Sequence, residues 1–284
     1  MTGIAEPPGR YGGEWTLQKL DILMSYLDTY TTALKNQSFG LVYIDAFAGT
    51  GQVQLGDHDE DTQGFIDGST KIALNIADKP FDRLICIEQN ADRCGKLDQL
   101  RQQYPNRDIE IKNEEANDFL KNFRENWSQW RGVLFLDPFA TEVEWATIER
   151  IAKFEALDTW ILFPLSAIAR MLPRDRTPDS ISPALAGRLT RVFGDESWRD
   201  LYRENPQQSL FNGEPGLERD PGSDGILQIY KGKLHNLFGK RFLENSKTLR
   251  NSKNLPIFEF LFCAGNPRGS AIAKNIAGHI IGHF

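Results

Sequence analysis

The feature that most constrains this fold is an alternation of short apolar runs with stretches of helical periodicity. The apolar runs are rich in β-branched and aromatic residues, which is typical of buried strands. Strands are predicted at 41–47, 84–88, 109–112, 132–136, 159–163 and 256–263. Helices are predicted near 16–35, 69–78, 91–103, 115–127, 142–154, 183–193 and 223–243. This alternation indicates an α/β protein of Rossmann-like type, with a mostly parallel, doubly wound sheet.

One long segment, 167–254, separates the fifth predicted strand from the last. Its many prolines and charges predict an inserted, mainly helical lobe, of the kind that selects a substrate. Four parts follow from this division. They are an N-terminal tail and helix (1–38), a Rossmann core (39–166), the lobe (167–254), and a final strand and helix that complete the core (255–284).

Composition excludes several classes of protein. With 284 residues, 40% of them apolar, the chain can bury a sizeable core. It has no leader-like apolar segment and no apolar run of roughly 18 to 20 residues, so we expect a cytoplasmic protein. Its three cysteines form no C-x-x-C pair, and Cys86 and Cys263 are predicted core thiols. The four scattered histidines have no metal-ligand spacing, so no metal site is predicted.

Charge gives a mixed indication about nucleic acid. The net charge of -6 argues against wholesale electrostatic binding. Between Tyr230 and Asn254, however, seven basic residues stand against one acid. Within that segment Lys240 and Arg241 are candidate contacts to a nucleic-acid substrate. The alternative is that these charges are the solvated face of an amphipathic helix.

The strongest candidate for a ligand site is the end of the first strand. The strand closes on Asp45, and the small-residue turn Ala46-Phe47-Ala48-Gly49-Thr50-Gly51 follows. Glycines at Gly49 and Gly51 remove side chains that would keep a ligand from the backbone. The turn, with Asp45, Phe47 and Ala48, therefore predicts a site for a nucleotide-like cofactor.

Acids and amides after the next two strands extend this site. Glu88 closes the second strand, where a carboxylate can accept both hydroxyls of a ribose. The alternative interpretation is that Glu88 is an ordinary exposed acid at a strand end. After the third strand, Asn113 and Ala116 belong to a segment that can hold an adenine amino group, although acids there also favour a helix start.

The same turn separates two classes of cofactor. A dinucleotide fingerprint needs a third glycine and a helix that begins at the turn to hold the pyrophosphate. Neither is predicted here, because Gln54 stands at the third position and a polar stretch follows. S-adenosylmethionine has no phosphate and needs neither feature, so it is the predicted cofactor. An NAD-dependent oxidoreductase is the less favoured alternative.

The fourth strand ends in the candidate catalytic residues Asp137-Pro138-Phe139. Proline marks the exit of the strand toward the cleft. An aspartate there can accept a hydrogen bond from an amine and orient the nitrogen lone pair toward a methyl donor, while Phe139 can stack on a base. An acid-proline turn with a buried aromatic is the alternative. Pro164, after the fifth strand, is expected to line the substrate side.

On these residues the chain resembles the three-Cys-motif partner (TcmP) family, whose members look like class I S-adenosylmethionine-dependent methyltransferases. The resemblance implies a companion protein with a three-cysteine motif, similar to radical-S-adenosylmethionine proteins. The resembling segments are Trp15 to Leu27, Tyr43 to Gly51, Gly68-Ser69, Ile87-Glu88, Phe135 to Phe139, and Trp160 to Pro164.

A more distant likeness concerns the substrate. The stretches 48–55 and 62–68 resemble the opening of ribosomal RNA adenine-N6 methyltransferases that carry a D-P-P-Y motif. That likeness implies methyl transfer to an amino nitrogen of a nucleic-acid base. Here the motif is Asp137-Pro138-Phe139-Ala140. The departure motivates a second hypothesis, a non-catalytic recognition protein for the companion or for RNA or DNA.

Overall fold

The computed structural model describes residues 13–54, 65–173, 177–205, 216–219 and 222–284. The strands are β1 Gly40–Asp45, β2 Gln52–Gln54, β3 Phe65–Asp67, β4 Arg83–Ile87, β5 Ile109–Lys112, β6 Trp130–Leu136, β7 Leu157–Phe163, β8 Tyr202–Asn205, β9 Gly216–Arg219, β10 Phe242–Arg250 and β11 Pro256–Cys263. The α-helices are α1 Glu14–Leu34, α2 Ser69–Leu74, α3 Ala91–Gln102, α4 Ala116–Asn122, α5 Trp145–Ala152, α6 Leu165–Met171, α7 Pro183–Phe193, α8 Asp224–Phe238 and α9 Ser270–His283.

Seven strands form one sheet in the order β10-β11-β7-β6-β1-β4-β5. Five of them, from β7 to β5, are parallel, and β11 is antiparallel to both of its neighbours. The order reverses beside β1, which pairs with β4 on one side and β6 on the other. Ligands bind at such a switch point, outside the carboxyl ends of the strands. The predicted α/β fold with a mostly parallel, doubly wound sheet is therefore confirmed.

Helices cover both faces of this sheet. On one face, α1, α2, α3 and α9 pack over a core that includes Tyr26, Trp160 and Phe262. On the other, α4 to α8 pack over a core that includes Trp145, Phe163 and Trp198. The central strands are buried on both sides, which explains their continuous apolar runs. Cys86 and Cys263 are fully buried free thiols, as predicted.

The sequence missed β10, the edge strand of the large sheet. A helix was predicted over 223–243, but α8 ends at Phe238 and Gly239 adopts a φ of +56°. The chain then turns into β10, which pairs with β11. The lysines and arginines of this stretch have no strong strand pattern of their own, and pairing with an apolar neighbour determines their conformation. The final part of the segment predicted as a lobe thus belongs to the main sheet.

Two side chains, of Asp158 and Arg241, form hydrogen bonds between elements at the amino edge of the sheet, where the parallel strands begin. Asp158 at the start of β7 is buried, and it accepts hydrogen bonds from the Tyr26 hydroxyl (2.6 Å) and from Gly265 N–H (2.7 Å). The Arg241 guanidinium donates to the carbonyls of Ala152 (3.1 Å) and Gly265 (3.0 Å). These contacts join α1 and the start of β10 to the centre of the fold. No helix in the described ranges is long and apolar enough to cross a membrane.

Candidate functional site

The glycine turn after β1 is held in place from beneath by Asp45. This carboxylate is fully buried, and its Oδ2 accepts hydrogen bonds from the hydroxyls of Ser69 (2.5 Å) and Thr70 (3.1 Å) at the start of α2. Burial raises the pKa of Asp45 to about 6. Asp45 lines neither part of the cleft described below. Its position supports the turn and the start of α2, rather than a direct contact with a ligand.

Gly49 and Gly51 give the turn its shape. Both have positive φ, +59° and +74°, a conformation that other residues rarely adopt. At Gly51 a β-carbon would also stand 2.7 Å from a methyl of Leu100, whereas at Gly49 there is open space. The chain continues into the β2–β3 hairpin, and α2 begins only at Ser69. No helix begins directly after the turn, so the turn lacks the helix N-terminus that would bind a pyrophosphate.

Glu88 reaches this turn from the end of β4. Its Oε2 accepts a hydrogen bond from Gly49 N–H (3.1 Å), and its Oε1 accepts one from Asn90 N–H (2.8 Å). The Arg93 guanidinium lies 3.7 Å from Oε2. A carboxylate has about four lone-pair positions, so each oxygen can still accept a hydroxyl. The structure thus places Glu88, the residue predicted to bind the ribose, beside the glycine turn. Both of its carboxylate oxygens can accept a further hydrogen bond.

Asp137 follows the end of β6, on the other side of β1 from β4, and it has a partner that sequence reasoning missed. The Lys19 ammonium of α1 is 2.5 Å from Asp137 Oδ2, and both side chains are largely buried. Lys19 also lies 5.3 Å from the centroid of Trp15 and 5.9 Å from that of Phe135. The two charges are 118 residues apart in sequence. The resembling segment that starts at Trp15 contains Lys19, and that was the available signal.

Phe139 and Arg93 stand between two parts of one cleft at the carboxyl edge. Phe139 is 50% exposed, and the Arg93 guanidinium lies 5.0 Å from its ring centroid. Both residues line both parts, as does Phe47. We call the two parts the α1-side pocket, of about 370 Å³, and the α7-side pocket, of about 520 Å³.

The α1-side pocket contains most of the predicted residues. It is lined by Ala48, Gly49, Gly51, Asp137 and Pro138, and by Lys19 and Trp15 of α1. Phe258 of β11 completes it, with its ring 5.0 Å from that of Trp15. The antiparallel direction of β11 brings its first residues to this edge. Sequence reasoning missed this aromatic wall because its members come from the two ends of the chain.

The α7-side pocket contains the second group of predicted residues. Glu88 and Ala116 line it, and Ala116 is the first residue of α4. Asn113 does not line it. Its amide donates instead to the carbonyls of Glu88 (3.0 Å) and Gln89 (2.9 Å). Asn113 therefore braces the loop that carries Glu88.

Three predicted substrate contacts lie away from both pockets. Pro164 lies beneath the cleft, in a small enclosed cavity that Pro138 and Thr141 also line. Arg241 is at the amino edge, where its guanidinium is engaged by backbone carbonyls. Lys240 precedes it and is exposed there. The structure does not bring Pro164, Lys240 and Arg241 together with Asp137.

Residues of α7 line the cleft although the sequence did not single them out. Arg188 and Arg191 stand one helical turn apart and reach the α7-side pocket. Neither guanidinium has a hydrogen-bond or ion-pair partner among the described residues. Thr141 lines the same pocket, is 9% exposed, and has a hydroxyl without a partner. A basic residue on a helix is ordinarily solvated, so the pattern alone gave no signal.

Comparison with solved structures gives several likenesses at low identity. Protein LPL1258 from Legionella pneumophila is 16% identical, with a TM-score of 0.45, over 90% of this chain and 98% of that one. An rRNA methylase from Streptococcus thermophilus is 13% identical, with a TM-score of 0.38, over 93% and 99%. The magnesium protoporphyrin IX methyltransferase of Synechocystis, solved with bound SAH, is 12% identical, with a TM-score of 0.38, over 86% and 83%. No protein-family model and no curated protein matches the sequence.

The strand order identifies the type of fold. The dinucleotide-binding fold has a mostly parallel sheet in which a sixth strand continues the parallel order. Here one antiparallel strand, β11, lies between two strands that run parallel to each other, β7 and β10. That arrangement, with a glycine turn after the central strand, is characteristic of the class I methyltransferases. The chain therefore has a Rossmann-like fold of the class I methyltransferase type.

Proposed function

We propose that this protein is an S-adenosylmethionine-dependent methyltransferase that acts on an amino nitrogen of a nucleic-acid base. One observation carries the proposal. The glycine turn, Glu88 and Asp137 meet at a single cleft, at the switch point of a sheet with the methyltransferase strand order. Each comes from a different strand end, so the cleft combines a cofactor site with a group that can orient an amine.

The residues present fit the cofactor. The turn offers backbone without β-carbons at Gly49 and Gly51, and Glu88 can accept two ribose hydroxyls. Ala116, without a bulky side chain, leaves room for the adenine in the α7-side pocket. Bound S-adenosylmethionine would supply an electrophilic methyl group on its sulfonium sulfur.

Asp137 would orient the acceptor. Lys19 holds Oδ2, so Oδ1 is the oxygen that would accept a hydrogen bond from the amine. This contact directs the nitrogen lone pair away from Asp137 and toward the methyl group. The ion pair with Lys19 fixes the carboxylate, so its position is set before the acceptor arrives. Positioning of this kind can supply most of the rate enhancement in a reaction that needs little acid-base chemistry.

The walls of the α1-side pocket favour a flat acceptor. Trp15 and Phe258 lie beside each other in its lining, and Phe139 lines it as well. Aromatic side chains stack on bases, with about 1–3 kcal/mol for each stacked base. A base that stacks on one of these rings would share the pocket with Asp137. The distant likeness to adenine-N6 methyltransferases supports the same class of acceptor.

A labelling experiment tests this function. The protein would be incubated with methyl-labelled S-adenosylmethionine and separate fractions of total RNA, DNA and protein. We expect label in a nucleic-acid fraction, released as an N-methylated base on hydrolysis. Label in no fraction, or label only on protein, would contradict the proposal.

A second candidate function is a non-catalytic recognition protein for a three-cysteine companion, in line with the TcmP resemblance. The observation that favours it is the contact between Arg93 and Phe139, because the guanidinium covers ring surface on which a base would stack. Binding of S-adenosylhomocysteine without methyl transfer, even with the companion present, would favour this function. Methyl transfer that Asp137→Asn abolishes would exclude it.

A further inference from the structure

The lobe contributes two cationic side chains to a cleft that is otherwise formed by the core. Arg188 and Arg191 belong to α7, in the segment predicted as an inserted lobe, and both line the α7-side pocket. Their spacing of three residues places them on one face of the helix. No other described residue provides them with a hydrogen bond or an ion pair.

The acids of this pocket do not fill that role. Glu115 caps α4 by accepting from Asp118 N–H (2.9 Å), and Glu142 accepts from Phe139 N–H (2.9 Å). Glu144 is paired with Lys121 at 3.2 Å. Of the other three carboxylates that line the pocket, Glu88 accepts from backbone N–H groups and Asp118 is paired with Lys121. Glu114 is the one acid of the pocket without a partner among the described residues. The two arginines lie near these acids and still have no partner among them.

Thr141 provides an independent indication of a ligand in the same pocket. Its hydroxyl is buried and has no hydrogen-bond partner among the described residues, and the residue lines both this pocket and the small cavity beside Pro164. Buried hydroxyls are usually satisfied, so an unpaired one in a residue that lines a cavity is a candidate partner for a ligand atom or a water. A hydroxyl and two guanidiniums can all donate hydrogen bonds. The ligand group that suits such donors is an anionic acceptor with several oxygens.

We infer that Thr141, Arg188 and Arg191 form a subsite for a backbone phosphate of a single-stranded nucleic acid. This inference rests on the proposed function, because the phosphate would belong to the strand that presents the target base. Phe139 stands between this pocket and the one that contains Asp137, so a base near Asp137 would place a neighbouring phosphate toward α7. The lobe then binds the strand, and the core performs the transfer.

The experiment compares two double variants that each lose two positive charges. Arg188→Gln/Arg191→Gln changes the subsite, and Lys153→Gln/Arg268→Gln changes two exposed residues at the amino edge. Binding of a labelled 12-nucleotide single-stranded RNA, and of the same sequence as DNA, would be measured by anisotropy over a range of salt. Binding of S-adenosylhomocysteine would be measured by calorimetry on the same samples.

We expect the subsite variant to bind the oligonucleotide at least about tenfold more weakly. We also expect its slope of log K against log salt to fall by about 1.4, as for two lost contacts to a single strand. The control variant should change much less, and the affinity for S-adenosylhomocysteine should stay the same in both. A similar loss of affinity for RNA and for DNA in the subsite variant would support a phosphate contact. If the unaltered protein prefers one of the two nucleic acids, weaker binding of that one by the subsite variant would also support it.

Three results would overturn the inference. Equal losses in both variants would show a general charge effect. A loss confined to S-adenosylhomocysteine would show that the arginines cover the adenosine. Absence of oligonucleotide binding by the unaltered protein would remove the subsite, while calorimetry still reported on the cofactor site. Failure of the proposed function would give a different pattern, with oligonucleotide bound through α7 but no methyl transferred.

Discussion

The two edges of the large sheet differ in how their polar groups are satisfied. At the amino edge, both oxygens of Asp158 and the guanidinium of Arg241 have partners within the fold. At the carboxyl edge, Asp45 Oδ1 and the Thr141 hydroxyl are buried without partners among the described residues, and the Arg188 guanidinium has no partner among them either. Burial alone does not distinguish the edges, since it raises the pKa of both Asp45 and Asp158 to about 6. Buried atoms without a partner also occur at the amino edge, at Nε of Arg83 and of Arg131, but other nitrogens of both guanidiniums are hydrogen-bonded. A carboxylate oxygen and a hydroxyl without partners distinguish the carboxyl edge, where we propose that the cofactor binds.

The largest expected effect concerns Asp137 at the carboxyl edge. Asp137→Asn keeps the size of the side chain but removes the charge that pairs with Lys19 and orients the amine. We expect methyl transfer to slow by about 100-fold, comparable to the loss of one electrostatic contact in an active site. Single-turnover transfer from labelled S-adenosylmethionine measures it. An unchanged rate would show that the acceptor is oriented elsewhere.

Glu88 should show the next largest effect, on binding. The Glu88 carboxylate now accepts hydrogen bonds from the N–H groups of Gly49 and Asn90. In Glu88→Gln, an amide NH2 would face one of these two N–H groups and could not accept its hydrogen bond. Loss of a charge-assisted contact costs about 1.5–3 kcal/mol, so affinity for S-adenosylhomocysteine should fall by at least about tenfold. A matched Glu244→Gln variant on exposed β10 should bind normally. Equal affinities in the two variants would place the ribose away from Glu88.

Stability should depend on pH through the two buried carboxyls. Each has a pKa of about 6 in the folded protein, above its ordinary value of 3.8, so the folded state favours the protonated form. Their contribution to stability is therefore complete below about pH 4 and is lost as the pH rises through about 6. For Asp158 the loss is on the order of 3 kcal/mol. Urea unfolding between pH 4 and 7 measures this loss. We expect the free energy of unfolding to decline less in Asp158→Asn than in the unaltered protein, and an identical decline in the two proteins would contradict the assignment.

The smallest effect is expected from Tyr26→Phe at the amino edge. This change leaves one oxygen of Asp158 without its hydrogen bond inside the core. We expect the free energy of unfolding to fall by about 1–2 kcal/mol. The affinity for S-adenosylhomocysteine should not change, because Tyr26 lines neither pocket. A selective loss of cofactor binding would show that the two edges are coupled.

Much of the proposed cofactor site could be predicted from local sequence. Strand β1, the glycine turn and Glu88 each depend on a short pattern, and parallel pairing brings their ends together without further information. The class of fold followed from the same alternation. The contact of Asp45 with a ligand stays a prediction, because a strand-end acid beside a glycine turn does not indicate whether the side chain faces the cleft or the core, and this one is buried beneath the turn.

The acceptor side depends on contacts between distant residues, which local patterns do not contain. Lys19 reads as one polar position of an amphipathic helix until α1 packs against the end of β6. Phe258 reaches the cleft only because β11 runs antiparallel. The prediction for Lys240 and Arg241 followed a basic run along the chain, but the turn at Gly239 carries that run to the amino edge. Clustering in sequence did not correspond to clustering at the cleft.

Calorimetric titration of S-adenosylhomocysteine tests most directly the claim that the open carboxyl edge is a cofactor site. We predict a one-to-one complex with a Kd on the order of micromolar in the unaltered protein, within the range usual for enzyme ligands. We also predict a binding constant at least about tenfold weaker in Glu88→Gln, and no change in Tyr26→Phe. Absence of binding by the unaltered, folded protein would contradict the account.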